Sequence, residues 1–162
     1  MGVNPNRIPR KKFNRLLGLA EEMKKRRLSK NRTFDKSTHA AVILSKDFQV
    51  ISYGENHYRN MPDRMSCHAE MDAIMNIKQD RVKYNKTYYL FVIKLSPKIG
   101  SLGESACCLR CRAMLQSANI KFGKIYYSIP HGIAASTVNH LPIHISERDR
   151  KETSIDCLKK LM

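Results

Sequence analysis

Apolar residues recur at helical spacing near the start of the chain. Between Arg10 and Arg27 they fall three or four positions apart, and charged residues occupy many of the positions between them. The apolar positions are Phe13, Leu16, Leu17, Ala20 and Met23. This pattern predicts an amphipathic helix inside a basic segment at about 7–32, with its apolar side packed against the rest of the fold.

Short apolar runs and helical patterns alternate over the following hundred or so residues. Two strands are predicted at 39–44 and 48–53, separated by the turn Ser-Lys-Asp. The next segments predict a helix in CHAEMDAIMNIKQ, a strand in KTYYLFVIKL, a helix in CCLRCRAMLQSAN and a strand in FGKIYYSI. The tail from Pro130 is weakly patterned, and a closing helix is predicted at about 146–161. This order predicts one α/β domain over 1–162, with a mixed sheet of about five strands covered by helices.

Cysteine usage and hydropathy limit where such a chain would work. No apolar run approaches the roughly 18 residues that a membrane helix needs, and charges from Arg7 onward interrupt any signal-peptide core. The 5 cysteines are an odd number, and Cys107 and Cys108 are adjacent, so a disulfide framework is not indicated. We therefore expect an intracellular protein, cytoplasmic or nuclear, without a membrane partner and with thiols reserved for metal or chemistry.

The positive charge of the chain is large and unevenly distributed. The formal net charge is +16, and residues 7–32 carry 11 Lys/Arg against 2 Asp/Glu. A basic face of this kind attracts polyanions at long range, so single-stranded DNA or RNA is the expected partner. Two alternative interpretations of the charge stay open, which are a merely solvated surface and a localisation signal at KKRR, residues 24–27.

Two short motifs supply the residue types of a metal site. SCHAEMDAI places His68 and Glu70 at a predicted helix start, and Cys108 and Cys111 open the next helix as Cys-x-x-Cys. The positive end of a helix dipole favours the thiolate form of cysteines in this position. Two thiolates and one imidazole suit zinc, and three protein ligands leave one tetrahedral position open for chemistry. Each motif alone is weaker evidence, because Cys-x-x-Cys also occurs in redox pairs and structural zinc half-sites.

The combined pattern resembles a known enzyme superfamily. His-x-Glu followed by Cys-x-x-Cys is the signature of zinc-dependent nucleobase deaminases, and HAE with CLRC resembles the cytidine and deoxycytidylate deaminase superfamily. This superfamily includes tRNA adenosine and DNA/RNA cytosine branches, and the resemblance runs from about residue 39 to 128. It implies a cytidine deaminase-like three-layer α/β/α sandwich and one zinc per chain.

The resemblance also implies a role for particular residues. His68, Cys108 and Cys111 match the zinc ligands, and Glu70 matches the residue that shuttles protons. YGENHY resembles the family's Gly-x-Asn segment, so Asn56 is the expected contact to the sugar. The backbone N–H of Ala69 is expected to hold an oxygen of the base. Relatives of this fold mostly assemble, so a homodimer or larger homo-oligomer is expected.

Two features depart from the usual pattern of the family. Cys107 stands where the family usually has proline before its first cysteine ligand, and this residue is interpreted as a bystander. The stretch between His68 and Cys108 is longer than in most relatives, and SPKIGSLGES is expected to form the extra loop. Neither departure removes a ligand or the proton shuttle.

Three functions remain open from the sequence. The favoured one is hydrolytic deamination of a base within single-stranded nucleic acid, with cytosine ahead of adenine, because the basic helix would contact phosphates. The second is a free-nucleotide deaminase of the dCMP or cytidine type. The third is a non-enzymatic nucleic-acid-binding protein that keeps the deaminase fold, although a structural zinc site would have no use for Glu70.

Overall fold

The computed structural model describes residues 7–29, 38–58, 66–95, 102–103, 105–130 and 132–140. Within these ranges the helices are α1 (Arg10–Leu28), α2 (Ala69–Met75) and α3 (Leu109–Ser117). The strands are β1 (Thr38–Leu44), β2 (Val50–Glu55), β3 (His57–Tyr58), β4 (Ser66–Cys67), β5 (Thr87–Leu95), β6 (Leu102–Gly103), β7 (Lys121–Ile129) and β8 (Gly132–Thr137). Short 3-10 turns cover Gln79–Arg81 and Val138–His140.

The main sheet is mixed. Its strand order is β2-β1-β5-β7-β8, and β6 pairs with the C-terminal end of β5. The β5–β7 pair is parallel, whereas β1 pairs antiparallel with both β2 and β5, and β7 pairs antiparallel with β8. Strands β3 and β4 form a separate two-stranded ladder. The prediction of a mixed sheet of about five strands is confirmed.

Helices cover both faces of this sheet. Alternate residues of β1 and β5 point to opposite faces, which gives two apolar clusters. One cluster holds α1, with Leu16 and Leu19 buried near Val42 and Phe91. The other holds α2 and α3 and includes Ala69, Ala73, Cys111 and Leu115 with Ile43, Leu90, Val92 and Ile125. The three-layer α/β/α sandwich is therefore confirmed.

Helix α1 is rotated slightly from the predicted orientation. Leu19 is 1% exposed, whereas Leu17 is 39% exposed and lies outside the core. At 100° per residue, the positions of Leu16, Leu19 and Met23 share one narrow stripe, and Leu17 lies beside it. The predicted apolar side was wrong at Leu17 and omitted Leu19.

The tail after Pro130 contains a strand that the weak pattern did not predict. Strand β8 pairs antiparallel with β7 from Lys124↔Thr137 to Ile129↔Gly132. Its sequence, GIAAST, is rich in alanine and serine, which signal neither helix nor strand strongly. Gly132 has φ 154°, a value that side-chain-bearing residues rarely adopt. The closing helix predicted at about 146–161 lies outside the described residues.

Strand β2 begins later than predicted. The prediction was 48–53, whereas β2 runs from Val50 to Glu55 because Phe48 turns the chain with φ 60°. In the part of the chain that the structure covers, no helix is both long and apolar enough to cross a membrane.

Strand β2 packs very closely against helix α2. A Cβ atom added to Gly54 would lie 2.1 Å from the Ala73 nitrogen and 2.4 Å from the Ala69 carbonyl oxygen. Only glycine lets the helix backbone approach the strand this closely. The Ser52 hydroxyl also donates a hydrogen bond to the Ala73 carbonyl. These contacts hold the first turn of α2 against the end of β2.

Candidate active site

The predicted zinc ligands lie together at the starts of α2 and α3. His68 is the N-cap residue of α2, and Cys108 is the N-cap residue of α3. The Nδ1 atom of His68 is 3.1 Å from Cys111 Sγ and 3.3 Å from Cys108 Sγ, and one donor atom of each residue lies within 4.8 Å of the others. Tetrahedral zinc would separate such nitrogen and sulfur atoms by about 3.5 Å. A few tenths of an ångström of opening therefore suffice for the ion.

Hydrogen bonds among His68, Cys108 and Cys111 favour the thiolate form of Cys108, which is the form that binds metal. A hydrogen bond from the Cys111 thiol, assisted by the His68 ring, lowers the pKa of Cys108 to about 4. The Cys111 amide also approaches the Cys108 sulfur, with N···S at 3.4 Å. The hydrogen bond to Cys108 raises the pKa of His68, and the bond to Cys108 together with burial raises the pKa of Cys111. Negative charge thus collects on Cys108, and a bound metal would displace the shared protons.

Glu70 is buried next to these ligands. Its side chain is 5% exposed as part of the first turn of α2, and burial raises its pKa. The carboxylate accepts a hydrogen bond from its own backbone amide and one from the Cys107 thiol. Its charge raises the pKa of both His68 and Cys111, so it lies close to the ligand set. A carboxyl group of this kind can hold a proton and release it again.

Cys107 has a contact that the sequence did not predict. Its thiol donates a hydrogen bond to the Glu70 carboxylate. Burial, followed by the charge of Glu70, raises the pKa of Cys107. The side chain is 2% exposed and belongs to the cluster under α2 and α3. The residue that replaces the family's proline therefore touches the predicted proton shuttle.

The predicted substrate contacts lie at the same end of the sheet. Ala69 is the first residue of α2, where backbone N–H groups have no acceptor within the helix. Asn56 lies between β2 and β3, and its Oδ1 accepts a hydrogen bond of 2.9 Å from the backbone N–H of His39. The backbone N–H of Asn56 also donates a hydrogen bond to the His39 carbonyl at 3.3 Å, which extends the β1–β2 pairing. The roles of both residues toward substrate stay predictions.

A buried ion pair joins α1 to the segment that holds Asn56. Arg27 Nη1 lies 2.5 Å from Glu55 Oε2, and Arg27 Nη2 donates to the Asn56 carbonyl at 3.3 Å. The Tyr53 hydroxyl donates to Glu55 Oε1 at 2.7 Å, while Arg26 stacks on the Tyr53 ring at 3.9 Å. Arg27 is 8% exposed, so the basic run Lys24–Arg27 does not face solvent as a whole.

His39 is a neighbour of the site that no motif indicated. Burial, together with the charges of Lys94 and His68, lowers the pKa of His39 to about 4, so its ring is neutral at physiological pH. Lys94 is its cross-strand partner on β5. A lone histidine at a strand end carries no sequence signal of such a position, which arises only when β1, β2 and β5 pair.

Comparison with known proteins identifies the family. The model of the "Cytidine and deoxycytidylate deaminase zinc-binding region" matches residues 12–128. The chain belongs to this family. The resemblance inferred from the motifs is confirmed, and so is the prediction of a zinc cofactor, since three ligand-type side chains converge within the matched zinc-binding region.

Solved structures resemble the fold at low sequence identity. Cytidine deaminase from Burkholderia pseudomallei has a TM-score of 0.52 at 12% identity, covering 82% of this chain and 94% of that protein. Cytidine deaminase from Mycobacterium leprae has a TM-score of 0.46 at 13% identity, over 74% and 89% of the two chains. The dCMP deaminase of cyanophage S-TIM5, solved with dCMP and dUMP, has a TM-score of 0.46 at 16% identity, over 75% and 83%. The first of these structures supports the fold. Among curated proteins, none matches the sequence significantly.

Replacing Cys111 by Ser tests the ligand set. We expect this change to weaken zinc binding at the site by about 100-fold or more, because a hydroxyl is a far poorer zinc ligand than a thiolate. The measurement is the zinc that survives dialysis of the full chain against a weak chelator, by mass spectrometry. Ser117→Ala, at the last residue of α3, is a control on the same helix, and unchanged zinc retention in Cys111→Ser would contradict the assignment.

Proposed function

We propose that this protein is a zinc-dependent hydrolytic deaminase that removes the exocyclic amine of a nucleobase in single-stranded DNA or RNA, with cytosine favoured over adenine. The observation that carries this proposal is the buried Glu70 carboxylate beside His68, Cys108 and Cys111. A purely structural zinc site has four protein ligands and no need of a carboxyl group that can exchange protons.

The residues of the site divide the reaction among them. His68, Cys108 and Cys111 would hold zinc, which supplies Lewis-acid activation of water when bound. Glu70 accepts a proton from the attacking water and delivers it to the ring nitrogen, and then transfers a proton to the departing amine. Water and the amino base become ammonia and the carbonyl base, which is uracil from cytosine or hypoxanthine from adenine. In this proposal the backbone N–H of Ala69 holds an oxygen of the base and Asn56 holds the sugar, as the family resemblance implies.

The exposed charge of α1 supports a polynucleotide substrate. Its exposed basic residues are Arg10, Lys11, Lys12, Arg15, Lys25 and Arg26. Contacts to phosphate supply affinity without reading sequence, and a base in a single strand can enter a closed site without unpairing. The last turn of α1 reaches the Asn56 carbonyl through Arg27, so the basic helix adjoins the proposed sugar contact.

A free-nucleotide deaminase is the second candidate, favoured by the match to a family described by cytidine and deoxycytidylate. One incubation series separates the candidates: the full chain is offered cytidine, dCMP, adenosine, single-stranded DNA and single-stranded RNA, and products are identified by mass spectrometry. Turnover of dCMP or cytidine alone would overturn the polynucleotide proposal. Zinc without turnover of any substrate would favour the binding-protein function. Homo-oligomerisation remains a prediction from the family resemblance.

Reversing exposed charges on α1 tests the nucleic-acid surface. The variant Arg10→Glu/Lys11→Glu/Arg15→Glu is expected to weaken binding to DNA and RNA single strands alike. The slope of log affinity against log salt should flatten by about 0.7 for each phosphate that the variant no longer neutralises. Negative charge near a helix N-terminus is favourable, so α1 should remain folded. Fluorescence anisotropy across a salt series measures both effects.

The matched control makes the same charge change elsewhere. Lys78, Lys83 and Lys86 are exposed around the turn before β5. Reversing these three should leave most of the affinity and the salt slope intact. Equal reductions of affinity in both variants would mean that net charge, and not the α1 surface, determines binding.

A further inference from the structure

Three metal-binding side chains meet next to the candidate active site without belonging to it. His57 on β3 pairs directly with Cys67 on β4 in an antiparallel register, so the two side chains point to the same side. Asp72 lies one turn into α2, with its amide bonded to the His68 carbonyl at 2.9 Å. One donor atom from each of these three residues lies within 4.8 Å of the other two.

The backbone N–H and C=O of one residue, Glu55, orient two of these groups. The Nδ1 atom of His57 lies 3.0 Å from the Glu55 carbonyl oxygen. A carbonyl can only accept, so Nδ1 donates this hydrogen bond, and Nε2 is the ring nitrogen available to a metal. The Glu55 amide donates to Asp72 Oδ2 at 2.9 Å, while Asp72 Oδ1 lies 3.9 Å from His57 Nδ1. Metal-binding residues are usually supported in this way, by backbone partners that fix the histidine tautomer and hold the carboxylate.

We propose that His57, Cys67 and Asp72 form a second site for zinc, distinct from the site of His68, Cys108 and Cys111. One sulfur, one nitrogen and one oxygen donor suit zinc better than magnesium or calcium. A thiolate and a carboxylate together neutralise the charge of a divalent ion, so the loaded site bears no net charge next to the buried Cys67.

One of the three side chains is buried and another is partly exposed, so an ion could reach the site from solvent. The Cys67 side chain is 1% exposed and contacts the His68 carbonyl at 3.7 Å, whereas the His57 side chain is 38% exposed. The histidine side therefore gives access and leaves a fourth position for water. Tetrahedral ligand atoms lie about 3.3–3.8 Å apart, so metal binding requires the His57 ring to turn its free nitrogen toward Cys67 and Asp72 and the three side chains to draw together. The thiol releases its proton on binding.

A metal at this site would link the β3–β4 ladder to α2. Cys67 directly precedes His68, and His57 directly follows Asn56. The ion would therefore fix the two segments that carry a first-site ligand and the proposed sugar contact. The ligand geometry that supports this site does not depend on which substrate the protein uses.

Zinc titration of the metal-free full chain under reducing conditions tests the second site. Equilibrium dialysis at buffered free zinc, with metal determined by mass spectrometry, should give about two equivalents per chain. The affinity for one equivalent should fall by about 100-fold or more in His57→Gln, Asp72→Asn and Cys67→Ala, while the other equivalent remains. His140→Gln, at an exposed histidine outside both groups, should retain both equivalents. Cobalt offers a second readout. Its second equivalent should add thiolate charge-transfer intensity in the wild-type chain, and this increment should be missing in Cys67→Ala, where only Cys108 and Cys111 supply thiolates.

The Cys111→Ser background isolates the second site. Zinc should raise the melting temperature of Cys111→Ser but not that of Cys111→Ser/His57→Gln, since only a protein with a metal site gains stability from the ion. The His57 side chain is 38% exposed and belongs to neither apolar cluster, so its replacement should leave the core intact. A single equivalent in the wild-type chain would overturn the proposal. So would a second equivalent that survives both His57→Gln and Asp72→Asn, since the ion would then lie elsewhere.

Discussion

Replacing Glu70 by Gln is expected to lower the turnover number of deamination by about 10²–10⁴-fold, while zinc content stays the same. Glutamine keeps the size of the buried side chain but cannot accept or return a proton. Glu70 is not one of the three ligand-type residues, so the metal centre should persist. The measurement is product formation on the substrate found in the incubation series, together with zinc per chain.

Glu22→Gln is the matched control for this variant. It makes the same chemical change at an exposed position of α1 and should leave turnover unaltered. Wild-type turnover in Glu70→Gln would refute the proton-shuttle role. A parallel loss of zinc and activity would instead assign Glu70 a structural role in the metal centre. Either result can be told apart from a wrong choice of substrate, because the wild-type protein serves as the reference.

The parts of the fold that were predicted correctly are those with a long run or a clear repeat of apolar residues. Strand β5 is nearly continuous apolar sequence and lies between β1 and β7, so its aromatic and β-branched residues indicate a central strand. Strand β8 lies at the edge of the sheet, where alanine and serine suffice, and the pattern did not distinguish it from a loop. Phe48 adopts a positive φ, which is unusual for an aromatic residue, so the shifted start of β2 had no local signal.

The convergence of the three candidate metal-binding residues could be predicted because their chemistry is concentrated in short motifs. Cys-x-x-Cys and His-x-Glu each fix a spacing, and the structure places His68 Nδ1 within 3.3 Å of Cys108 Sγ. The contacts that join distant segments could not be predicted in this way. Arg27 and Glu55 are 28 residues apart, and nothing in a run of four basic residues indicates that one of them is buried. The pairing of His57 with Cys67 depends on the two-residue strands β3 and β4, which are too short to leave a hydrophobic pattern.

Replacing Arg27 by Ala is expected to lower the free energy of unfolding by about 3–5 kcal/mol. The change removes the cation that pairs with the Glu55 carboxylate, and Glu55 is only 6% exposed. The Tyr53 hydroxyl still donates a hydrogen bond to this carboxylate but cannot neutralise its charge. Because the same guanidinium donates a hydrogen bond to the Asn56 carbonyl, the segment that carries the proposed sugar contact should loosen as well. Urea denaturation followed by circular dichroism gives the free energy, and the KM of the substrate reports on the segment.

Arg26→Ala is the matched control, since it removes the neighbouring arginine from an exposed position. It removes only the stacking of the guanidinium on Tyr53, for which about 0.5–1 kcal/mol is expected. The double variant Arg27→Met/Glu55→Leu removes both charges and should recover much of the stability that Arg27→Ala forfeits, because no unpaired ion is then left inside. If Arg27→Ala costs no more than Arg26→Ala, the buried ion pair contributes little to the free energy of unfolding. The size of this difference therefore determines whether the C-terminal end of α1 anchors the fold or only adds positive charge for a polyanion.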